Sequence, residues 1–135
     1  SDLSGLYVIY VEDDVLVRAS TVALLQEYRI LHEAVGSFRE LEARLGLIER
    51  VPDIVITDYR LPDGRTAQDV MRLIGEVFDF EVPVIVVSGE VIIASNQEFT
   101  PAALLTKPVS PDTLFAAILR IADQTSARSN LQTAQ

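Results

Sequence analysis

Cysteine is absent from the chain, and basic residues are few. Without cysteine there can be no disulfide, no thiolate metal site and no cysteine nucleophile, and this composition fits a reducing compartment. There are 11 Lys and Arg against 20 Asp and Glu, which gives a formal net charge of −9. Direct nucleic-acid binding is not expected, because it needs a basic surface against the phosphates. The excess of carboxylates favours solubility, and some of them could crowd together and require a cation.

Long apolar runs are also missing. No apolar stretch reaches the ~18 residues that a membrane-spanning helix needs. The first five residues, SDLSG, lack the basic region that opens a signal peptide. We therefore expect a cytoplasmic protein without membrane contact. Its 135 residues, 49% of them apolar, are expected to form one domain with a compact core.

Short apolar, β-rich runs alternate with segments of helical periodicity along the chain. This pattern predicts five strands, at 6–11, 30–34, 54–58, 84–88 and 103–106. It predicts helices at about 15–28, 38–48, 70–77, 91–94 and 111–122. Two helix starts are marked: Ser37 and Glu40 are expected to form a capping box, and Ser110 is expected to cap the last helix ahead of Pro111.

The alternation predicts an α/β fold, a doubly wound (βα)5 domain with a five-stranded parallel sheet. Three strands read as continuous apolar runs, which is typical of a parallel sheet covered by helices on both faces. The domain is predicted to cover residues 1–124. Residues 125–135 are rich in Ser, Thr, Gln and Asn and lose the periodicity, so they are expected to form a flexible C-terminal tail.

Polar residues gather where the predicted strands end. The residues in question are Glu12 and Asp13 after the first strand, Asp58 at the end of the third, Ser88 at the end of the fourth and Lys107 after the fifth. In such sheets ligands bind at the carboxyl edge, so these side chains are expected to converge. Three close carboxylates repel one another, and a hard divalent cation such as Mg²⁺ relieves that repulsion. An aspartate beside a cation can attack phosphorus, with an amine and a hydroxyl to stabilise the phosphoryl oxygens.

Four motifs, in this order, resemble the receiver domain of two-component response regulators. They are VEDD at 11–14, DIVITDYRLPDG at 53–64, VIVVSG at 84–89 and LTKP at 105–108. The resemblance covers residues 6–122 and implies a flavodoxin-like sheet in the order 2-1-3-4-5, with helices on both faces. It implies a phosphoacceptor module with Mg²⁺ (or Mn²⁺) as cofactor. The partners implied are a histidine kinase or histidine phosphotransfer domain, and a downstream protein bound by the family's α4–β5–α5 face, with a homodimer left open.

The resemblance implies individual roles at the metal and acceptor positions. Asp58 corresponds to the phosphoacceptor, Asp13 to the direct metal ligand and Glu12 to the acidic neighbour that acts through a water. Arg60, two residues after the acceptor, is expected to offer its backbone carbonyl to the metal. Asp14 matches no ligand position and is interpreted as a surface carboxylate.

Further roles are implied at the phosphoryl-binding positions. Ser88 resembles the family's Ser or Thr that contacts the phosphoryl group, with the Gly89 amide nearby. Lys107 resembles the family's invariant lysine. Pro108 stands where the family often has a cis peptide bond.

Two positions depart from the family pattern. Leu104 stands where most receivers have Tyr or Phe, and the interval from Ser88 to Lys107 is short and contains Pro101. We therefore hypothesise that phosphorylation is read out through Phe99 or through movement of the 89–102 loop. The Arg60 side chain is hypothesised to shield the phosphoryl group or contact its oxygen, with a solvent-facing or kinase-docking role as the alternative.

Several functions remain as alternatives at this point. A phosphatase of the haloacid dehalogenase type also uses a strand-end Asp, but its second Asp is replaced here by Arg60. No strand is followed by a nucleotide-binding GxGxxG or a P-loop lysine. A degenerate receiver that serves only as an interaction module is a third alternative. The lead-in LSGLYVIYVEDD and the absence of an effector domain resemble the C-terminal receiver of a hybrid sensor histidine kinase, while a stand-alone regulator would look much the same.

Overall fold

A computed structural model of the chain describes residues 2–78, 81–91 and 99–133. Within these ranges there are five strands and four helices. In chain order they are β1 (Tyr7–Val11), α1 (Val15–Glu27), β2 (Leu31–Val35), α2 (Phe38–Leu45), β3 (Ile54–Asp58), α3 (Ala67–Val77), β4 (Val84–Ser88), β5 (Ala103–Thr106) and a C-terminal helix (Pro111–Thr133). The helix predicted at 91–94 falls, apart from its first residue, outside the described residues.

The five strands form one parallel sheet in the order β2-β1-β3-β4-β5, which confirms the predicted topology. At its carboxyl edge Val11 of β1 pairs with both Val35 of β2 and Thr57 of β3. Asp58 of β3 pairs with Val87 of β4. The strand order reverses between β1 and β3, and in open α/β sheets this is where ligands bind.

Apolar side chains from alternate positions of the central strands enter two separate core layers. Ile9 and Val55 face the layer that contains α2 and α3, whereas Val8 and Ile56 face the layer with α1 and the C-terminal helix. All five residues of β1 and of β3 are buried. The continuous apolar runs of the sequence arise because both faces of the sheet are covered.

The helix starts agree only in part with the prediction. The Ser37 hydroxyl accepts from the Glu40 amide at 3.1 Å, as expected of an N-cap. The Glu40 carboxylate accepts a hydrogen bond from the Gly36 amide at 2.6 Å, not from the Ser37 amide. The second hydrogen bond of the predicted capping box was therefore wrong. A complete capping box joins Thr66 and Asp69 instead and begins α3 at Ala67.

The chain after the core continues as helix. The sequence predicted that the last helix ends at about residue 122, but the C-terminal helix runs to Thr133. The sequence signal failed here because polar residues without an apolar stripe still adopt a helix when a packed helix precedes them, since elongation needs no new nucleus. The division of the chain at residue 124 into a domain and a tail stays a prediction. Over the described ranges, no helix combines the length and apolar character that a membrane crossing needs.

Candidate functional site

Three carboxylates meet at the carboxyl edge of the sheet, as the sequence predicted. Glu12 and Asp13 directly follow β1, and Asp58 is the last residue of β3. One oxygen from each lies within 4.8 Å of the others. Glu12 is 2% exposed and Asp58 is 4% exposed, whereas Asp13 is open to solvent. The site is therefore an acidic pocket with two buried carboxylates and one that is exposed to solvent.

Lys107 reaches this pocket from the end of β5. Its Nζ lies 3.0 Å from Asp58 Oδ1 and 3.8 Å from Glu12 Oε2. The Lys107 amide donates to Ser88 O at 2.9 Å, which ties the residue to the end of β4. The Lys107–Pro108 peptide is cis, as the family resemblance implied. The amine therefore joins the fifth strand to the carboxylates of the first and third.

The protonation of Asp58 reflects its surroundings. Burial raises the pKa of Asp58 to about 8, and the Glu12 carboxylate adds to this while Lys107 opposes it. Burial by itself lowers the pKa of Lys107, but the carboxylates of Asp58, Glu12 and Asp13 outweigh it and the net shift is upward. The pocket thus holds more negative charge than one amine can balance.

The second oxygen of Asp58 distinguishes this carboxylate further. Besides burial, a proton shared with Glu12 contributes to the raised pKa of Asp58, but with both carboxylates ionised the buried Asp58 Oδ2 has no hydrogen-bond partner among the described residues. An unpartnered buried carboxylate oxygen is costly, and Asp58 lies beside two more carboxylates. Hard divalent cations prefer such an all-oxygen set. The three carboxylates therefore fit an ion such as Mg²⁺.

Glu12 is held in place by the segment that follows it. Its Oε1 accepts the Asp14 amide at 3.0 Å. The Asp14 side chain in turn caps α1, accepting from the amides of Leu16 and Val17 at 3.0 Å each. Asp14 is therefore a helix cap as well as a surface carboxylate, and an Asp directly before a helical apolar pattern is the signal that could have identified it.

Ser88 lies at the end of β4 and is buried. Its hydroxyl donates to Glu90 O and accepts from the Glu90 amide, both at 3.1 Å. Gly89, between them, is exposed and has open space where a Cβ would stand. The short loop 88–90 is thus held by its own serine, on the strand next to Asp58.

The Arg60 side chain pairs with a residue that no sequence motif marks. Its guanidinium forms a two-point ion pair with Glu90, with Nη2 to Oε2 at 3.3 Å and a shorter contact from Nε to Oε1. Both side chains are exposed, at 70% and 46%. The pair links the loop after β3, which begins next to Asp58, to the loop after β4. A loop glutamate carries no sequence signal for such a pairing.

The residues expected to read out the site lie in different environments. Leu104, on β5, is 43% exposed. Phe99 is buried in the core layer of α2 and α3, and its ring meets the Tyr59 ring edge-on, with centroids 5.9 Å apart. Tyr59 directly follows Asp58, so this contact joins the site to the approach to β5. Half of the 89–102 loop named in the hypothesis, residues 92–98, lies outside the described residues.

Comparison with known families and structures places the chain. The model of a family described as response regulator receiver domain matches residues 8–119. Curated proteins give no match. The structure of the chemotaxis response regulator CheY4 of Vibrio cholerae is similar, with 22% identity and a TM-score of 0.71 over 86% of this chain and 98% of that one.

Two further solved structures resemble the chain. A response regulator receiver domain protein from Clostridium thermocellum is 19% identical, with a TM-score of 0.78 over 90% of this chain and 98% of that one. A CheY-like receiver domain protein from Methanospirillum hungatei JF-1 is 19% identical, with a TM-score of 0.79 over 91% of this chain and 98% of that one. At these identities the structural likeness establishes the fold.

Proposed function

The chain belongs to the response regulator receiver domain family, and on this premise we propose that it accepts a phosphoryl group on Asp58. One observation carries the proposal: Asp58 belongs to a group of three carboxylates, its Oδ1 lies 3.0 Å from Lys107 Nζ, and its Oδ2 is buried with no partner among the described residues. A carboxylate that only stabilised the fold would be expected to have both oxygens satisfied.

The proposed reaction is transfer from a phosphohistidine of a histidine kinase or a histidine phosphotransfer domain. A carboxylate oxygen of Asp58 forms a bond to phosphorus, the P–N bond to the imidazole breaks, and the imidazole leaves with the bonding pair. The raised pKa of Asp58, about 8, means that the carboxyl must lose its proton first. The ammonium of Lys107 favours that loss and then faces the negative phosphoryl oxygens.

We propose Mg²⁺ or Mn²⁺ as the cofactor, held by Asp13, Asp58 and, through a water, Glu12. The backbone carbonyl of Arg60 is proposed as a further ligand. When bound, such an ion neutralises the carboxylates and the phosphoryl oxygens. Ser88 and the amide of Gly89 are proposed to hold a phosphoryl oxygen. The isolated domain would then promote its own phosphorylation and dephosphorylation by positioning these groups.

A protein donor is supported by the surface beside the acidic pocket. Val15, Leu16 and Val17, which follow Asp14 directly, are exposed at 63%, 79% and 45%. Three consecutive exposed apolar side chains that closely follow the acidic pair in the chain are typical of a contact surface. We propose a cytoplasmic receiver in two-component or phosphorelay signalling. Both settings, a hybrid kinase and a stand-alone regulator, remain within this proposal.

We propose that phosphorylation is passed on through Tyr59 and Phe99 rather than through Leu104. Leu104 has no hydroxyl or ring with which to follow a change at Ser88. Tyr59 directly follows Asp58, and its ring contacts Phe99 edge-on. Phe99 precedes β5 in the chain, so this contact connects the acceptor to the segment that leads into β5. If the amide chemical shifts of 99–106 stay unchanged when beryllofluoride is added with Mg²⁺, this route is wrong.

The test of the acceptor is incubation with Mg²⁺ and acetyl phosphate, followed by intact mass measurement. The wild type and Asp53→Asn, a matched change at the other end of β3, are expected to gain one phosphoryl group. Asp58→Asn is expected to gain none. An equal signal in Asp58→Asn would overturn the proposal. Sustained turnover of a generic phosphate ester would favour a phosphatase, and absence of modification in the wild type would favour an interaction module.

A further inference from the structure

Arg18, in α1, contacts the backbone of the residue that begins the acidic pair. Its Nη1 donates to the backbone oxygen of Glu12 at 2.7 Å. A bond from a guanidinium to a carbonyl is charge-assisted and therefore stronger than a neutral one. Glu12 is almost fully buried, and a buried backbone carbonyl without a hydrogen-bond donor destabilises the fold. No motif in the sequence marks Arg18 for a role.

The carbonyl that Arg18 holds belongs to the peptide that joins Glu12 to Asp13. Because a peptide is planar, fixing its oxygen also fixes the direction in which Asp13 leaves the strand. On the other side of the residue, the Glu12 amide donates to Val35 O at 3.0 Å. The backbone of Glu12 is thus held from both sides, and both carboxylates project from a constrained segment.

Gly36, at the end of β2, leaves the space that the Arg18 guanidinium occupies. A Cβ at position 36 would lie 2.9 Å from Arg18 Nη1, 3.7 Å from Arg18 Cζ and 3.9 Å from Glu12 O. Gly36 does not adopt the positive φ that Gly5 and Gly64 adopt, so the backbone there does not itself require glycine. The close approach of the guanidinium explains the residue.

We propose that Arg18 is a positioning residue for the Glu12–Asp13 pair, and that Gly36 provides the room this role requires. The inference rests on the proposed function, because the pair is positioned for the cation and the phosphoryl group. Arg18 touches neither of them and acts through the backbone of Glu12.

The charge of Arg18 works against its positioning role, and the two effects must be separated. A guanidinium near the pocket repels a divalent cation, so Arg18→Ala removes both a support and a repulsion. Gly36→Ala keeps the charge and displaces only the guanidinium, because the atom a Cβ would meet is the end of a flexible side chain. Gly36→Ala is therefore the cleaner variant.

The experiment is a double-mutant cycle on Mg²⁺ binding. The full chain is titrated with Mg²⁺, and amide chemical shifts monitor binding. Gly36→Ala is expected to raise the Kd for Mg²⁺ about tenfold, the low end of what lost outer contacts cost. In the Arg18→Ala background the same change is expected to have less than about a twofold effect, because its target is gone. Arg18→Lys keeps the charge and a donor, so it is expected to bind Mg²⁺ more weakly than the wild type only to the extent that the lysine fails to hold the Glu12 carbonyl.

The controls are a matched glycine and a matched arginine. Gly75→Ala, in α3, meets nothing within 4 Å and is expected to leave the Kd unchanged. Arg72→Ala loses only an exposed contact with Asp69 and is expected to do the same. Without metal, Gly36→Ala and Arg18→Ala are both expected to shift the amide signals of Asp13 and Asp14.

The outcomes separate this inference from the proposed function. If the wild type neither binds Mg²⁺ nor gains a phosphoryl group, the proposed function fails, while the metal-free amide shifts still test the role of Arg18. A wild type that does both, together with a Gly36→Ala variant of unchanged Kd, overturns the role of Arg18 alone. An equal effect of Gly36→Ala with and without Arg18 also overturns it, because the effect then does not pass through the guanidinium.

Discussion

Two aspartates lie at the two ends of the same strand and have opposite environments. Asp53, just before β3, accepts the Tyr7 amide at 2.8 Å and an Arg50 nitrogen at 3.2 Å through its Oδ2, while its own amide donates to Tyr7 O at 2.8 Å. Asp58, at the other end, has an ammonium on one oxygen and no described partner on the other. The hydrogen bonds of Asp53 connect β1 to β3, whereas Asp58 keeps one oxygen without a hydrogen-bond partner among the described residues.

The difference shows how one sheet combines stability and reactivity. The amino edge closes its hydrogen bonds internally, which stabilises the register of the strands. The carboxyl edge leaves a buried oxygen among carboxylates, which destabilises the pocket until a cation or a proton arrives. A reactive carboxylate is tolerated at one end of β3 because the core and the other end hold the strand in place.

The largest expected contrast is in phosphorylation itself. Asp58→Asn should abolish modification by acetyl phosphate, whereas Asp53→Asn should retain it, because the side-chain oxygen of an asparagine can still accept a bond from the Tyr7 amide. Intact mass after a fixed incubation measures both variants. A modified Asp58→Asn chain would show that the two ends of β3 were assigned wrongly.

The next contrast is the pH dependence of Mg²⁺ binding. Since the pKa of Asp58 is raised to about 8, a cation must displace a proton below that pH. The apparent affinity for Mg²⁺ should rise about tenfold per pH unit from pH 6 to 8 and level off above. Calorimetric titration at several pH values measures this. A flat profile would mean that Asp58 is already ionised at pH 6.

In the presence of EDTA, substitutions at the two ends of β3 should change the free energy of unfolding in opposite directions. Asp53→Ala leaves the Tyr7 amide without its acceptor and should lower the free energy of unfolding by about 1–3 kcal/mol. Asp58→Asn removes an unsatisfied buried carboxylate and should raise it by about 1–3 kcal/mol above pH 8. Urea denaturation of both variants and the wild type measures these changes.

The sign of the Asp58 effect follows from proton binding. The pKa of Asp58 is about 8 in the folded protein, above its ordinary value of 3.8, so the folded state binds a proton that the unfolded state releases between these values. This group therefore contributes a loss of stability as pH rises through that window. The free energy of unfolding of Asp58→Asn relative to the wild type should therefore increase from about pH 4 to 8. A difference that decreases over this range would contradict the raised pKa.

The smallest expected contrast concerns the exposed arginines near each aspartate. Arg60 pairs with Glu90 across the loops beside Asp58, while Arg50 pairs with Asp53 at the amino edge. Arg60→Ala should raise the rate of aspartyl-phosphate loss by about two- to threefold, a small effect because exposed ion pairs are weak. Arg50→Ala should leave that rate unchanged. Following the decay of the phosphorylated mass tests both, and equal rates in Arg60→Ala and the wild type would remove the shielding hypothesis.

Much of the pocket could be predicted because its residues terminate strands. A parallel sheet brings all carboxyl ends to one edge, so the positions of Glu12, Asp58 and Lys107 followed from their places after apolar runs. The helix end could not be predicted, since residues 125–133 carry no apolar stripe and take their helical form from the preceding turns. The half-formed box at Ser37 failed because Glu40 found a different amide within reach.

The sequence by itself determined the fold class, the sheet edge and the chemical types collected there. Apolar runs and strand-end polar residues encode these features locally, and the parallel sheet turns that linear order into proximity. Only the tertiary structure decided which contacts form between loops: Arg60 with Glu90, Arg18 with the Glu12 carbonyl over Gly36, and Tyr59 with Phe99. Such pairs depend on how loops and side chains pack against one another, and no periodicity in the chain records that.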